Sequence, residues 1–554
     1  MIKDRPTLIQ KSVIALVVAL VTFSKQIGFF LITTNRYYLH WEFADSLALL
    51  VGVLILAAIA LGISVILKVR QRERVRHFYN HVFLLALANG ILTLAPPRFA
   101  PQFRQSSLSV FLWSALWLSV VGTIACSFFN RRFPLVRYAG NVCLIFSPLV
   151  PILFYQTLAM RNWSSPKESH PDLRPELSLD SRAAPEKKPV FIFVFDEWSY
   201  VRSTRDDEFI PELVNLRRLA GQSFFFRQAW SFASQTLYSL PALVFQTDRL
   251  SKISRAGVFF SNKGKSVAAT AMPNIFSLAK NQGYFTALEG FYHPYGQMAG
   301  RHLDYCRAFS VYPTAQSFWA KVLLMTSRNL FWFTDPLTKP WRWRLTAALE
   351  GRNLFELNNW MRAETLRLLK ECPANTLAFF HVPLPHGPYV FNADGSYNGP
   401  FAGNPVIHRK PTVEDYRRHL LHMDNVIGQI VDELKKAGKF DDAMLIVTSD
   451  HSWREDPDNG TEINYGAPSL RKVPLLIKFP GQSQAQFVDK TIYNHLHLQP
   501  IIERAVHGGV KAQDAAELIA KMEVLPTPTG RFSVRPASTQ KSEGTAADLE
   551  KADN

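Results

Sequence analysis

The hydrophobic positions of the chain change their spacing at about residue 160. Before this point, uncharged runs recur that are long enough to cross a bilayer as helices, which takes roughly 20 apolar residues. We predict five membrane-spanning helices, at about residues 12–33, 47–67, 80–95, 107–129 and 138–158. A cleaved signal peptide is the alternative for the first run, but its apolar part continues past Lys25 and four more runs follow, which favours a retained helix.

The short loops between the predicted helices set their orientation. Basic residues concentrate between the second and third runs, between the fourth and fifth runs, and at the N-terminus. They are Lys68, Arg70, Arg72, Arg74 and Arg76; Arg131, Arg132 and Arg137; and Lys3, Arg5 and Lys11. Positive short loops stay in the cytoplasm, although Arg98 and Arg104 in an opposite loop are a weaker contrary signal. An odd number of spans then places the rest of the chain outside, which in a bacterium means a multi-pass inner-membrane protein with a periplasmic domain.

The composition divides the rest of the chain further. Residues 161–188 are rich in Pro, Ser and charge without an apolar period, and we interpret them as a linker. Residues 525–554 have the composition of a disordered tail. We therefore predict a transmembrane helical domain over residues 1–160 and a large second domain over residues 189–524.

Continuous apolar runs in the second domain end in carboxylate or imidazole side chains. These runs are "VFIFVF" before Asp196 and Glu197, "TLAFF" before His381 and His386, and "AMLIV" before Asp450 and His451. Apolar runs without alternation are typical of strands buried on both faces of a parallel sheet. Between the last two runs, residues 412–438 have apolar positions at helical spacing and a Gly at the end. The pattern predicts an α/β fold with a mostly parallel central sheet.

The polar residues at the strand ends predict a metal site. In open α/β sheets the functional crevice lies beyond the carboxyl ends of the strands, where Asp196, His386, Asp450 and His451 would converge. Singly, a carboxylate after a strand can be a helix N-cap and a loop histidine can lie at the surface. Carboxylate and imidazole without thiolate favour a divalent metal such as Zn²⁺, with Mn²⁺ as the alternative, over calcium or magnesium.

The four cysteines do not form a zinc-binding pattern, because no CxxC spacing is present. A disulfide between Cys306 and Cys372 would be compatible with a location of that region outside the cytosol. The formal net charge of +17 is compatible with nucleic acid, an acidic substrate or a membrane surface. Since no nucleic-acid-binding motif is visible, we expect no nucleic acid partner, and we expect anionic lipids or glycans instead. The sequence does not specify the oligomeric state.

Residues 318–344 combine seven Trp or Phe residues with five basic residues. Aromatic residues beside basic ones are typical of the interface of an anionic bilayer. An amphipathic core helix with a basic outer face is an equally good interpretation of the same pattern.

At this point the motifs resemble a known family. The stretches "FVFDE", "PHGPY" and "TSDH" are similar to metal-site motifs of the alkaline phosphatase and sulfatase superfamily, and the resemblance covers roughly residues 188–510. The five predicted spans resemble the layout of its membrane-anchored branch, the lipid A phosphoethanolamine transferases and lipoteichoic acid synthases. The resemblance implies a sulfatase-like domain with a zinc site. Its ligands would be Asp196, Thr236, Asp450 and His451.

The stretch "SFASQTLYSLPALVF" contains the candidate nucleophile. Its Thr-x-x-Ser-x-Pro pattern resembles the phosphoethanolamine transferases, which implies that Thr236 is the nucleophile and makes Ser239 a further candidate. A plain helix N-cap is the alternative interpretation. Sulfatases with an oxidised nucleophile carry Cys or Ser, then x-Pro-x-Arg, and Leu243 stands where that arginine would be.

One departure from the transferases concerns their further histidine after the Asp-His pair. The stretch "EINYGAPSLRKVP" has no histidine at that place. His381, His386 and His293 are the substitutes that we consider. His386 is expected to contact the phosphoryl oxygens or to protonate a leaving group. Glu197 is expected to support the ligands or to replace Asp196 as one of them.

The resemblance implies a metal-dependent transferase that moves a phospho-head-group from a membrane lipid donor to an anionic glycan or lipid acceptor through a phospho-threonine. The alternative is a sulfatase-like hydrolase that uses water to cleave a phosphate or sulfate ester. A non-enzymatic protein of an envelope complex is the third interpretation, and the intact set of candidate ligands counts against it. The residues do not encode the transferred group or the acceptor.

Overall fold

The computed structural model describes most of the chain. The described residues are 7–31, 43–70, 73–81, 84, 121–126, 128, 135–159, 187–254, 257–309, 317–329, 339–399, 411–459 and 464–527. They divide into two compact units. One, the N-terminal unit, comprises residues 1–167, 310–357 and 399–409, and the other, the sheet unit, comprises residues 168–309, 358–398 and 410–554.

Helices and strands are numbered along the chain. The helices are α1 (Leu8–Leu31), α2 (Phe43–Val69), α3 (Leu135–Ile145), α4 (Leu149–Ala159), α5 (Tyr200–Ser203), α6 (Val214–Ala220), α7 (Thr236–Phe245), α8 (Ile275–Asn281), α9 (Tyr295–Ala299), α10 (Phe318–Asn329), α11 (Lys339–Glu371), α12 (Val413–Lys436), α13 (Asn494–Gly508) and α14 (Ala512–Lys521). The strands are β1 (Val190–Phe195), β2 (Thr204–Arg205), β3 (Glu208–Phe209), β4 (Phe224–Phe226), β5 (Ala229–Trp230), β6 (Leu250–Ser254), β7 (Gly257–Asn262), β8 (Lys265–Ala268), β9 (Phe285–Phe291), β10 (Tyr305–Phe309), β11 (Thr376–Val382), β12 (Met444–Ser449), β13 (Leu475–Lys478), β14 (Gln486–Val488) and β15 (Ile492–Tyr493).

The N-terminal unit contains the helices of the predicted membrane domain. The first two predicted spans coincide with α1 and α2. Within the described residues, α2 is the one helix long and apolar enough to cross a bilayer, and α3 with α4, bent by 52°, would be a second if the pair is one span. Most of the third and fourth predicted spans lies outside the described residues. The five-span arrangement therefore stays a prediction.

The sheet unit is built on the predicted mostly parallel sheet. Among the described residues, eight strands form it in the order β10-β9-β11-β1-β12-β13-β4-β14. From β10 to β12 all neighbours are parallel, and β13 is antiparallel to both of its neighbours. The three apolar runs singled out in the sequence are β11, β1 and β12, side by side, and the side chains of β1 and β12 are all buried.

The register of these three strands brings their ends to one edge of the sheet. Phe195, the last residue of β1, is paired with Val382 on one side and with Ser449 on the other. Asp196 and Asp450 each follow the last residue of their strand. The register of the parallel strands therefore suffices to place the two carboxylates beside each other.

The long helix predicted after the second run is α12. Thr412 caps its N-terminus in a reciprocal capping box with Asp415. Gly438 follows its end with a φ of +68°, a conformation that glycine adopts without steric cost. Cys306 and Cys372 are not joined by a disulfide in this structure.

Position 290 on β9 requires a glycine, because the ring of Tyr295 approaches its backbone closely. A Cβ at this position would lie 2.4 Å from Cε2 of Tyr295, whose hydroxyl lies 3.0 Å from Nδ1 of His381. We expect Gly290→Ala to lower the free energy of unfolding by about 1–3 kcal/mol, because the ring must shift in a packed interior. The thermal unfolding midpoint of the full chain measures this loss.

The matched control for this prediction is Gly296→Ala on the adjacent helix α9. A Cβ there would meet its nearest atom, Sγ of Cys306, at 3.8 Å, which is an ordinary contact. This variant should keep or raise the midpoint, since alanine favours a helix more than glycine does. Equal effects of the two substitutions would contradict the packing argument.

Candidate metal centre

The site begins where β1 and β12 end. The Asp196 N–H donates to the Val382 carbonyl at 3.0 Å, and the Asp450 N–H donates to the Phe195 carbonyl at 3.4 Å. These bonds carry the ladder one residue past each strand, so the backbone of both aspartates is held by the sheet. The sheet itself therefore positions the two carboxylates.

Asp196, Asp450 and His451 form a buried group of electron-pair donors. One donor atom from each residue lies within 4.8 Å of the others. Nε2 of His451 is 3.3 Å from Oδ2 of Asp450 and 3.8 Å from Oδ1 of Asp196. The structure thus brings together three of the four ligands that the sequence predicted.

Thr236, the fourth predicted ligand, lies against the same group. Its Oγ1 is 3.1 Å from Nε2 of His451 and 3.4 Å from Oδ1 of Asp196, and the side chain is almost fully buried. Thr236 is the first residue of α7, and Gln235 before it makes no side-chain capping bond. The positive end of the helix dipole therefore lies beside the site, where it favours an anion.

The hydrogen-bond pattern fits a bound cation. Nδ1 of His451 is 2.8 Å from the Ser452 carbonyl, which can only accept, so Nδ1 carries the proton and Nε2 presents its lone pair. Oδ2 of Asp450 is buried and has no hydrogen-bond partner among the described residues. Lone pairs of Asp196, Asp450 and His451 thus face one another without hydrogens between them. A divalent metal with oxygen and nitrogen ligands, such as Zn²⁺, satisfies all of them.

The pKa values of the group follow from burial and from the close approach of the two carboxylates. Burial and the neighbouring charge of Asp196 raise the pKa of Asp450 well above its usual range. Burial also raises the pKa of Asp196, but His386, His381 and His451 outweigh this effect and hold it below the usual value. Burial, with the charge of Arg454, lowers the pKa of His451 to about 4, so its imidazole is neutral at pH 7, as a metal ligand must be.

His381 and His293 surround this group, each through a different contact. Nε2 of His381 is 3.6 Å from Oδ2 of Asp196, while its Nδ1 lies 2.8 Å from the Phe291 carbonyl. The Nδ1 proton is therefore donated to the carbonyl, and Nε2 is buried without a hydrogen-bond partner in the described part of the chain. His381 is thus placed to be a further donor to a metal.

His293 contacts the nucleophile candidate through the backbone. Its Nε2 is 2.9 Å from the Thr236 carbonyl, and burial lowers its pKa to about 3. The neutral ring donates an N–H to this carbonyl and fixes the start of α7. Ser239 does not reach the donor group, because its Oγ donates to the Gln235 carbonyl at 3.0 Å, within the helix.

Glu197 and His386 both contact Arg454, a residue that the sequence analysis did not identify. Nε of Arg454 donates to Oε1 of Glu197, and its Nη2 lies 2.8 Å from Nε2 of His386. Glu197 also donates its backbone N–H to Oδ1 of Asp450 at 3.2 Å, with a positive φ of 63°. Arg454 stands three positions after His451, and that proximity to the motif is the signal that could have revealed it.

Comparison with known proteins agrees with this geometry. A family model described as Sulfatase matches residues 190–507, which is more than half of the chain. No curated protein is detectably similar in sequence.

Solved structures with a similar fold include the phosphonate monoester hydrolase of Agrobacterium radiobacter, at 17% identity and a TM-score of 0.38, covering 59% of this chain and 78% of the hydrolase. An alkaline phosphatase superfamily protein from Vibrio parahaemolyticus is similar at 16% identity and a TM-score of 0.39, covering 58% of this chain and 67% of that one. A 2-O GAG sulfatase is similar at 14% identity and a TM-score of 0.39, covering 62% and 76%. The match of the family model over residues 190–507 carries the assignment: the chain belongs to the sulfatase family, whose enzyme fold is that of the alkaline phosphatase and sulfatase superfamily.

Proposed function

We propose that this protein is a metal-dependent transferase that moves a phospho-head-group from a membrane lipid to an envelope glycan or lipid. The single observation that carries the proposal is the position of the Thr236 hydroxyl. It lies within 3.4 Å of both His451 Nε2 and Asp196 Oδ1, at the N-terminus of α7. A hydroxyl in this position can act as a nucleophile and can carry the transferred group covalently.

The first step forms a bond between Thr236 Oγ1 and the phosphorus of the donor lipid. The bond from phosphorus to the lipid oxygen breaks, and this oxygen leaves with the bonding electrons and takes up a proton from water. The threonine proton passes to Oδ1 of Asp196, its hydrogen-bond acceptor. In the second step an oxygen of an acceptor hydroxyl bonds to the phosphorus and releases its proton to water. The bond from phosphorus to Thr236 Oγ1 breaks, and Oγ1 takes back the proton from Asp196.

The metal would be held by four side chains. They are Asp196, Thr236, Asp450 and His451, with His381 as a further donor. When bound, the metal supplies Lewis acidity, which lowers the pKa of a ligating hydroxyl and compensates phosphoryl charge. Among the candidate metals, zinc suits this mixture of carboxylate and imidazole ligands, and manganese is the alternative.

Arg454 and His386 are proposed to bind the anionic oxygens of the substrate. The guanidinium is partly exposed, at 22% for the side chain, and the charges of Glu197, Asp196 and Asp450 raise its pKa despite burial. It is therefore a permanent cation at the opening of a site that otherwise carries negative charge. A planar guanidinium is well suited to hold two phosphoryl oxygens at once.

Membrane anchorage supports a lipid donor. Helix α2 is long and apolar enough to span a bilayer, and the basic loops predict that the sheet unit lies on the periplasmic side. A membrane-tethered active site meets lipid substrates at high local concentration. The proposed location is the bacterial inner membrane.

A sulfatase-like hydrolase is the second candidate function. The family model favours it, since sulfatases give this family its description. The same Thr236 chemistry would then end with water as the acceptor. The missing arginine after Pro241 favours phosphate over sulfate as the ester that is cleaved, because the oxidised nucleophile of sulfatases requires that motif.

Removal of the proposed nucleophile should abolish the reaction. We expect Thr236→Ala to lose at least about 10³-fold of the activity, because no other hydroxyl replaces Oγ1. Thr236→Ser should retain part of it. The measurement is label transfer from a head-group-labelled phospholipid, with and without a glycan acceptor. Transfer that depends on the glycan supports the transferase, hydrolysis alone supports the second candidate, and full activity of Thr236→Ala contradicts both.

Metal removal should inactivate the protein and lower its stability. Chelation leaves Asp196 and Asp450 close together and uncompensated, so we expect activity and the thermal midpoint to fall together and to recover with Zn²⁺ or Mn²⁺. Asp450→Asn should weaken metal affinity at least about tenfold, measured by elemental analysis and titration. The control is Asp442→Asn, whose side chain is 58% exposed. Unchanged metal content in Asp450→Asn would contradict the site.

The arginine should affect substrate binding more than turnover. We expect Arg454→Gln to raise KM for an anionic substrate roughly 10- to 100-fold, because a charge-assisted contact is lost. Arg454→Lys should lose less, since it keeps the charge. The control is Arg202→Gln, which removes an arginine paired with Asp456 and Asp458. A fall in kcat at constant KM would show that Arg454 does not bind the ground-state substrate.

A further inference from the structure

Helix α10 has its polar and apolar faces reversed relative to a helix at a water surface. Between residues 318 and 328, two positions are exposed, and each holds a large apolar residue. Trp319 is 68% exposed and Leu323 is 52% exposed. These residues are four apart and lie on one face. A water-facing helix presents polar residues at such positions and buries the apolar ones. The exposed face of α10 would therefore be more stable in an apolar environment than in water.

The charged side chains of α10 are paired, and one of them is buried. Lys321 is buried, and its Nζ lies 2.7 Å from Oδ1 of Asp45 on α2. Arg328, which is partly exposed, pairs with Glu350 on α11. For α10 this arrangement counts against an amphipathic core helix with a basic outer face. Ionisable groups that face inward in pairs are typical of helices in a membrane.

Small and polar residues allow α10 to lie close against α2. A Cβ at Gly52 would be 2.7 Å from Oγ1 of Thr326, so the two backbones approach closely there. Small residues at a helix crossing are the usual means of packing helices in lipid. Apolar side chains of both helices share one buried cluster. It includes Ala48, Leu49 and Val53 of α2 with Val322, Leu324 and Met325 of α10.

Helix α2, against which α10 packs, also exposes large apolar residues. Leu47 is 39% exposed and Leu54 is 47% exposed. Further along, Ile59 is 52% exposed. Helix α2 is the helix of the described residues that can cross a bilayer by itself. Because α10 packs against α2 and exposes an apolar face of its own, we expect both helices to lie in the same apolar environment.

We propose that α10 is embedded in the bilayer, in the leaflet that holds the Phe43 end of α2, with Trp319 and Leu323 against lipid. This inference rests on the membrane anchorage given with the proposed function. It makes residues 318–329 part of the membrane-contacting surface, although they lie between strands of the sheet in sequence. The partner is the lipid of the bilayer itself, and its acyl chains and glycerol region cover this face.

The experiment measures lipid contact at three positions of the full chain. The four cysteines are replaced by serine or alanine, and a spin label is attached to Leu323→Cys, to Ile59→Cys on α2 or to Glu414→Cys on α12. Each protein is placed in phosphatidylethanolamine–phosphatidylglycerol nanodiscs, and its label is exposed to oxygen, which partitions into lipid, or to a nickel chelate, which stays in water. Metal content and the thermal midpoint verify that each labelled protein is folded.

The expected result is an oxygen-to-nickel accessibility ratio at position 323 close to that at position 59 and about tenfold above that at position 414, because a polar chelate is excluded from hydrocarbon. A water-like ratio at 323 with a lipid-like ratio at 59 overturns the inference alone. Water-like ratios at both positions show that the proposed membrane anchorage itself is wrong. Low access to both reagents at 323, with a short label-to-label distance between copies, shows that a second copy covers this face, and also overturns it.

Discussion

The close approach of two buried carboxylates and a neutral imidazole is the constraint on which the site depends. Asp196, Asp450 and His451 lie within 4.8 Å of one another, at positions that the parallel ladder holds in place. Without a cation, such an arrangement costs free energy through desolvation and mutual repulsion. A divalent ion held by the same three side chains would offset this cost. The proposed role of the Thr236 hydroxyl rests on that ion.

The residues around this group fix the tautomers of its histidines, the start of α7 and the balance of charge. His293 holds the first carbonyl of α7, the Phe291 carbonyl fixes the tautomer of His381, and Ser452 does the same for His451. Arg454 balances the excess negative charge at the partly exposed side. The result is a site in which ring tautomers, charge and the position of the candidate nucleophile are set by the fold itself, which is what electrostatic preorganisation requires.

The N-terminal unit follows a different physical rule. In the sheet unit the candidate metal ligands follow the ends of β1 and β12, and the side chains of these two strands are buried. On α10 the pattern is reversed: Lys321 is buried against Asp45, and Trp319 is exposed. Helix α10, which lies between β10 and β11 in sequence, packs against α2 and not within the sheet.

The sequence by itself determined the strands β1, β11 and β12, their burial and the chemistry at their ends, because uninterrupted apolar runs followed by Asp or His are local signals. It also indicated Thr236 through a motif. Only the tertiary structure decided that Arg454 joins Glu197 to His386, that Ser239 bonds within its own helix, and that Lys321 of α10 is buried against Asp45. Those outcomes depend on side-chain direction or on partners that are distant in sequence, and a periodic pattern carries information about neither.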